Sequence, residues 1–185
     1  MIFLYVRKNI RMKSLVLITL FCCSISAISQ TENDSLGSVK TNADSAQISK
    51  WIFHQKNDFH LELLGAAGLY SINYERVIIN GNKLKTLASI GFSYIGTKSW
   101  RGFIIPISIN QLLSFKEHHI ELGIGGSPNF VISNDFGETW DQFIFTRIGY
   151  RYQKPKGKFI FRAGAIPIVY PEFGIWGGIS IGHSF

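Results

Sequence analysis

Cysteine is nearly absent from this sequence. Its two cysteines, Cys22 and Cys23, stand side by side in a chain of 185 residues. Both fall in a segment that we predict is removed on export. The mature chain then has no thiols, which excludes disulfides and cysteine-based zinc sites. Long hydrophobic runs are also missing: the apolar run at residues 14–23 is about half of the roughly 20 residues that a membrane-spanning helix requires.

Residues 1–29 have the composition of a secretory signal peptide. Basic residues between positions 7 and 13 precede the apolar run, and the small-residue stretch SISAISQ follows it. A basic segment, a short apolar segment and small residues before a cleavage site are typical of such signals. We therefore predict cleavage after Ala27 or Ser29, with Met12 as an alternative start.

The lipoprotein alternative and the charge of the mature chain both depend on this signal. A lipoprotein signal would place small residues directly before Cys22, but the bulky Phe21 stands there, which favours ordinary cleavage. Cleavage also lowers the excess of positive charge, because it leaves 15 basic residues against 12 acidic ones. That excess is too small to indicate a nucleic-acid partner.

Residues 30–57 are predicted to form a disordered periplasmic N-terminal extension. From residue 30 to residue 50 the sequence is QTENDSLGSVKTNADSAQISK, which has no aromatic residue and few large apolar ones. Such a segment cannot bury enough apolar surface to offset the entropy lost on folding.

Beyond residue 58 the chain alternates between apolar residues and small or polar ones. In ASIGFSYI, for example, Ile90, Phe92 and Tyr94 fall on one side, with serine and glycine on the other. The segments FIIPISI, HIELGIG and IFTRIGYRY alternate in the same way. A period of two indicates β-strands with two different faces.

The connections between these strands alternate in length. NGNK, SFKEH and KPKG are tight turns, whereas GTKSW, SPNFVISNDFGETW and VYPEFG are longer. This pattern is typical of a membrane barrel with short periplasmic turns and longer extracellular loops. FHLELLG supplies a first strand before a turn at residues 65–68, which brings the count to eight. We therefore predict an all-β fold, an eight-stranded antiparallel transmembrane β-barrel over residues 58–185.

A soluble eight-stranded barrel such as a lipocalin would show the same alternation. Two features favour the membrane barrel. The polar face consists mostly of Gly, Ser and Asn, which suits a cramped interior. Aromatic residues also collect near both predicted ends as interfacial girdles: Trp100, Trp140 and Tyr170 at one end, and Tyr152, Phe159 and Phe185 at the other.

The C-terminal stretch GGISIGHSF is interpreted as an assembly signal. Ile179, Ile181 and Phe185 share one face of this last strand. A terminal aromatic on an alternating strand resembles the recognition signal of bacterial outer-membrane barrels, which implies the barrel-assembly machinery as a partner. The last strand must pair with the first, because the backbone N–H and C=O groups of an unpaired strand edge would have no hydrogen-bond partners in lipid.

Three motifs extend the resemblance over about residues 58–185. GLYSINYER, RIGYRYQKPKGKFIFRAGAIPI and GISIGHSF together resemble a family of small outer-membrane β-barrel proteins from Bacteroidota. The resemblance implies a fold and the bacterial outer membrane, with its lipids, rather than an activity. It carries over no functional residues.

With the apolar face toward lipid, three acids and three arginines point into the lumen: Glu62, Glu75, Glu121, Arg147, Arg151 and Arg162. An eight-stranded barrel is barely wide enough for its own side chains, and buried charges need partners. We therefore predict an ion-pair network that plugs the barrel. A narrow ion path is the alternative.

The residues that could carry catalysis or bind metal are poorly placed for either. His183 and Ser184 are neighbours on one strand and point to opposite faces, and so do His118 and His119. The acids Asp135, Glu138 and Asp141 could bind a cation weakly, but such a cluster is more typical of a solvated acidic loop.

We predict no cofactor, no metal and no nucleic-acid partner. The expected function is a non-enzymatic outer-membrane barrel with a structural role, or one that binds an unidentified extracellular partner through residues 132–140. The alternatives are a small channel and a lipid-modifying enzyme.

Overall fold

The computed structural model describes residues 51–98, 100–133 and 137–185, and only the backbone of Trp100. The predicted signal peptide over residues 1–29, and the predicted extension as far as residue 50, lie outside the described residues.

The described residues form nine antiparallel β-strands, which share one sheet. They are β1 (Asn57–Leu63), β2 (Tyr70–Asn80), β3 (Leu84–Gly96), β4 (Trp100–Ile104), β5 (Ile107–Phe115), β6 (His118–Ser133), β7 (Gly137–Gln153), β8 (Phe159–Tyr170) and β9 (Gly174–Ser184). Among the described residues, no helix is long and apolar enough to cross a membrane.

Strands β4 and β5 are two parts of one spanning strand. Both pair with β3 on one side and with β6 on the other. The interruption falls at Pro106, which has no N–H to donate to a ladder. Its carbonyl still accepts a hydrogen bond from Gly91 N (2.8 Å). The sheet therefore crosses the membrane eight times, as the sequence predicts.

The sheet closes on itself. Each spanning strand pairs with its neighbours in sequence, and β1 pairs with β9, with Leu61 opposite Ile181. Closure leaves no unpaired sheet edge, which is the condition for a sheet to lie in lipid. The predicted eight-stranded antiparallel barrel is thus confirmed.

The outer face of the barrel is apolar and the inner face is polar. On β2, Ile72 is 59% exposed, whereas Ser71 and Asn73 on either side are buried. The predicted alternation on β3 has the same phase, with Ile90 and Phe92 outward and Ser93 inward. A soluble barrel needs the opposite arrangement, so the lipocalin alternative is excluded.

The predicted longest loop, SPNFVISNDFGETW, is mostly a β-hairpin. Strands β6 and β7 have 16 and 17 residues, more than the roughly 9–11 that span a membrane. They stay paired out to Ser133 opposite Gly137. Aromatic contacts on the outer face support this extension, because the ring of Phe130 lies 5.2 Å from that of Phe103 and 4.7 Å from that of Trp140.

The two ends of the barrel differ in their connections. We call the end with residues 81–83, 116–117 and 154–158 the turn end, and the opposite end, with residues 64–69, 97–99, 134–136 and 171–173, the loop end.

Residues 51–56, here called the strap, cover the turn end. His54 N donates to Pro155 O (2.9 Å), and Val77 N donates to Lys56 O (2.8 Å). The structure therefore differs from the extension predicted over residues 30–57, because its last part is fixed on the barrel. The cause is Phe53, which is 2% exposed and packs against Val77, Leu87 and Leu112.

Candidate functional site: the barrel lumen

The six charged residues predicted for the lumen all lie inside the barrel. They extend from five strands, and each is less than a tenth exposed: Glu62, Glu75, Glu121, Arg147, Arg151 and Arg162. The inward position of each follows from the period of two, since the residues on either side of it are on the opposite, outward face of the strand.

The pair Glu75–Arg151 crosses the full width of the lumen. Glu75 lies on β2 and Arg151 on β7, which stand on opposite walls of the eight-strand ring. Arg151 Nη1 donates to Glu75 Oε1. Arg162 Nη1 lies 3.7 Å from the other oxygen of the same carboxylate. Because Arg151 and Arg162 are directly opposed on neighbouring strands, Glu75 separates two like charges.

Glu121 and Glu62 also pair with guanidinium groups. Arg162 donates to both Glu121 oxygens, with 3.0 Å from Nε to Oε2. Arg147 Nη2 lies 2.6 Å from Glu62 Oε1, three strands away around the ring. The paired oxygens and nitrogens offset part of the cost of burying these ions.

Asp58 and His60 belong to the same network and were missed by sequence reasoning. Arg151 Nη2 donates to Asp58 Oδ2 (3.0 Å). Arg162 Nη1 donates to His60 Nε2 (2.7 Å), and His60 Nδ1 donates to Asp58 Oδ1 (2.8 Å). An arginine cannot accept a hydrogen bond, so His60 Nε2 is the acceptor in its contact with Arg162. The phase of β1 could have revealed both residues, because they alternate with Phe59 and Leu61.

The buried formal charges balance. Four buried carboxylates face four buried cations among the described residues: Asp58, Glu62, Glu75 and Glu121 against Lys85, Arg147, Arg151 and Arg162. Lys85, also unpredicted, lies near the turn end, where its Nζ donates to Ser114 Oγ (2.9 Å) and Asn82 O (3.1 Å).

The loop end of the lumen is closed by the first connection. Residues 64–69 turn inward, Ala67 is 1% exposed, and Ser127 Oγ donates to Ala66 O (2.7 Å). A cavity of about 10 Å³ lies below, lined by residues that include Phe145 and Arg147. This is the room of about one water molecule.

The strap closes the turn end. The ring of Phe53 meets the ring of His119 edge-on, with 5.2 Å between centroids, and Lys85 Nζ lies 4.9 Å from the Phe53 centroid. Asn80 and Phe53 exchange two hydrogen bonds, of 3.2 and 2.8 Å. The lumen is therefore covered at both ends.

A serine–histidine pair lies beneath the strap. His119 Nε2 donates to Gln153 O (3.1 Å), which leaves Nδ1 to accept from Ser114 Oγ (2.9 Å). His119 is thus buried, whereas its neighbour His118 is exposed. No local pattern in the sequence predicts this pair, because Ser114 lies on β5 and His119 on β6.

The other candidate residues are scattered. Ser184 is buried and donates to Gly157 O (3.1 Å), while His183 is exposed on the other face. Glu138 and Asp141 are exposed on β7, and Asp135 lies outside the described residues. Within the described part of the chain, no group of three His, Cys, Asp or Glu side chains could hold a metal ion.

The C-terminal residues lie at the seam where the barrel closes. Ile179, Ile181 and Phe185 face outward, each at least half exposed. The Phe185 ring stacks on Phe59 at 5.5 Å, and Phe185 N donates to Asn57 O (2.8 Å). Their role as an assembly signal stays a prediction.

Solved structures with the same architecture are small outer-membrane barrels. No protein-family model and no curated protein matches the sequence. The N-terminal β-barrel domain of Pseudomonas aeruginosa OprF matches with a TM-score of 0.52 and 11% identity, over 72% of this chain and 99% of that one.

Two further barrels match with lower scores. Yersinia pestis Ail has a TM-score of 0.42 and 12% identity, over 70% of this chain and 93% of that one. Neisserial surface protein A has a TM-score of 0.41 and 14% identity, over 70% and 92%.

The likeness is one of fold. A closed barrel with an apolar exterior belongs in a membrane, and the fold is that of outer-membrane proteins. The protein is therefore located in the bacterial outer membrane.

Proposed function

We propose that this protein is a non-enzymatic outer-membrane barrel that is closed to ions and acts through its surface rather than its lumen. The observation that carries the proposal is the Glu75–Arg151 pair, which joins opposite walls of the barrel. The closure of the lumen by residues 64–69 at the loop end and by the strap at the turn end also supports the proposal. The β6–β7 hairpin, which extends beyond the membrane-spanning length and exposes Trp140, is the surface we assign to an extracellular partner.

Single-channel recording tests the closed lumen. The refolded protein, with folding verified by its shifted gel mobility before boiling, should give no discrete openings in a planar bilayer. Arg147→Ala is recorded alongside. Discrete openings of the wild-type protein would contradict the closed lumen. If their size or ion selectivity changes in Arg147→Ala, the lumen is a conduction path and the small-channel alternative is correct.

The Ser114–His119 pair keeps a lipid-modifying enzyme as the second candidate. A serine hydroxyl bound to an imidazole nitrogen is the arrangement that activates a nucleophile. Here Phe53 covers the pair, and Ser114 is 9% exposed. A fluorophosphonate probe should label neither the wild-type protein nor Phe53→Ala. Labelling that disappears in Ser114→Ala would instead establish an esterase-type site.

A further inference from the structure

We infer that the turn end of the barrel is a binding surface for anionic phospholipid headgroups. This inference rests on the charges outside the barrel and does not depend on a closed lumen. Every connection at the turn end carries at least one exposed lysine: Lys83 between β2 and β3, Lys116 between β5 and β6, and Lys154, Lys156 and Lys158 between β7 and β8.

Two further cations complete this set, which we call the basic ring. Lys56 precedes β1, and Arg76 projects from the outer face of β2. Among the described residues outside the lumen, Glu117 is the single side-chain carboxylate at this end, and it lies 3.9 Å from Lys154. Seven cations thus face one acid.

The loop end has the opposite balance. Its described charged residues are two cations, Lys98 and Arg101, and three acids, Glu138, Asp141 and Glu172. The excess of positive charge is therefore a property of one end and not of the whole exterior. This asymmetry argues against a general solubilising role for the basic ring.

The position of the basic ring along the barrel axis matches the expected position of the lipid headgroups. Exposed aromatic residues lie directly beside it on the lipid-facing side: Phe59, Phe115, Phe159 and Phe185. Tyrosine hydroxyls there point toward the turns, since Tyr74 donates to Asn57 Oδ1 (2.8 Å) and Tyr152 donates to Glu117 Oε2 (3.3 Å). Aromatic residues with one polar tip mark a membrane–water interface.

Arg76 indicates the chemistry of the group that binds the basic ring. It faces the lipid between Tyr74 and Ile78 on the outer face of β2. An ammonium or guanidinium group at this depth reaches toward the headgroups, where phosphate is the available anion. Guanidinium binds phosphate through two parallel hydrogen bonds, and lysines near a membrane surface attract anionic lipids.

Lipid selectivity measured by electron spin resonance tests the inference. The protein is refolded into phosphatidylcholine vesicles that contain traces of spin-labelled phosphatidylglycerol or phosphatidylcholine. At low ionic strength, the wild-type barrel should associate with phosphatidylglycerol at least about threefold more strongly. Salt at about 0.5 M should remove most of this preference by screening.

Charge-removal variants assign the effect to one end. The variant Lys83→Gln/Lys116→Gln should lose part of the preference, and adding Lys156→Gln and Lys158→Gln should remove most of it. The matched control, Lys98→Gln/Arg101→Gln at the loop end, should keep it. All variants must first show the gel mobility of a folded barrel. Equal association of both lipids with the wild type, or equal loss in the control, would overturn the inference.

Discussion

Arg151 is the residue whose loss the barrel should tolerate least. It is fully buried and donates to Glu75, Asp58 and Gln153. The substitution Arg151→Met fills similar space but leaves Asp58 without an arginine and Glu75 with only Arg162, 3.7 Å away. Removing one partner of a buried ion pair costs about 3–5 kcal/mol. We expect the free energy of unfolding, measured with urea in lipid vesicles, to fall by that amount.

The control for this prediction is Arg101→Met. Arg101 is an exposed arginine on β4, so its loss should change the free energy of unfolding by less than about 1 kcal/mol. Equal and small effects for both substitutions would mean that the lumen network contributes little to stability.

Gly182 is required by the approach of β9 to β1. A Cβ added there would lie 2.6 Å from the carbonyl oxygen of Phe59 and 2.6 Å from His60 Cβ. Neither atom can move unless the seam opens, so we expect Gly182→Ala to lower the free energy of unfolding by about 1–3 kcal/mol.

Gly177→Ala is the matched control for Gly182→Ala. It lies on the same strand, with 4.0 Å between the added Cβ and its nearest neighbouring atom. The same urea titration should leave this variant within about 0.5 kcal/mol of the wild type. A loss as large as that of Gly182→Ala would show that the effect does not come from the close approach at the seam.

The inward position of a residue could be predicted from the sequence, whereas its ion-pair partner could not. The period of two places Glu62, Glu75 and Arg147 inside, and the same phase would have placed Asp58 and Lys85 there. Pairing depends on the shear of the closed barrel, which decides which side chains meet across the lumen. No local pattern contains that information.

At the scale of elements, the strap should open separately from the barrel. Its described contacts include two backbone hydrogen bonds, two hydrogen bonds between Phe53 and Asn80, and the buried ring of Phe53. Truncating a buried phenylalanine costs roughly 3 kcal/mol, which raises the open fraction about a hundredfold. We therefore expect Phe53→Ala to accelerate tryptic cleavage after Lys56 by about that factor, while the barrel keeps its gel mobility.

His54→Ala is the control for the strap, because the His54 side chain is exposed and only its backbone contacts Pro155. Its cleavage rate should match that of the wild type. Unchanged cleavage in Phe53→Ala would show that the strap is held by other contacts.

The strap and the β6–β7 hairpin are the elements that local sequence reasoning assigned differently. The polar tail before residue 50 suggested that disorder continues to residue 57, yet a single aromatic residue fixes the last part. In the hairpin, Pro128 indicates a loop, yet it lies within β6. Cross-strand contacts of Phe130 and Trp140 override that local preference, which is the usual limit of β-propensity.

At the scale of the whole molecule, the strand count, the phase and the closure could be predicted because a membrane barrel repeats one pattern eight times. Each strand must face lipid with its apolar side, so an error of one residue would expose a full row of polar groups. This constraint acts on every strand at once, so few alternative strand counts or phases are compatible with the sequence.

The orientation of the barrel in the membrane gives a prediction that uses the absence of cysteine after residue 23. Glu138→Cys lies near the tip of the hairpin and Lys156→Cys lies in a turn. A maleimide carried on a large polyethylene-glycol chain should label Glu138→Cys on intact bacteria. It should label Lys156→Cys only after the outer membrane is permeabilised. The reverse pattern would place the turns outside.

The C-terminus tests whether assembly in the cell needs more than the stability of the fold. Deleting Phe185 removes its stack on Phe59 and a hydrogen bond to Asn57, so some loss of seam stability is expected in any membrane. We predict that the deletion lowers outer-membrane levels several-fold while export continues, and that Phe185→Tyr, which keeps an aromatic ring, does not. Spontaneous refolding into vesicles separates the two causes. A deletion that refolds at nearly the wild-type rate but fails to assemble in cells would identify a recognition signal, whereas parallel defects in both would reduce Phe185 to a structural contact.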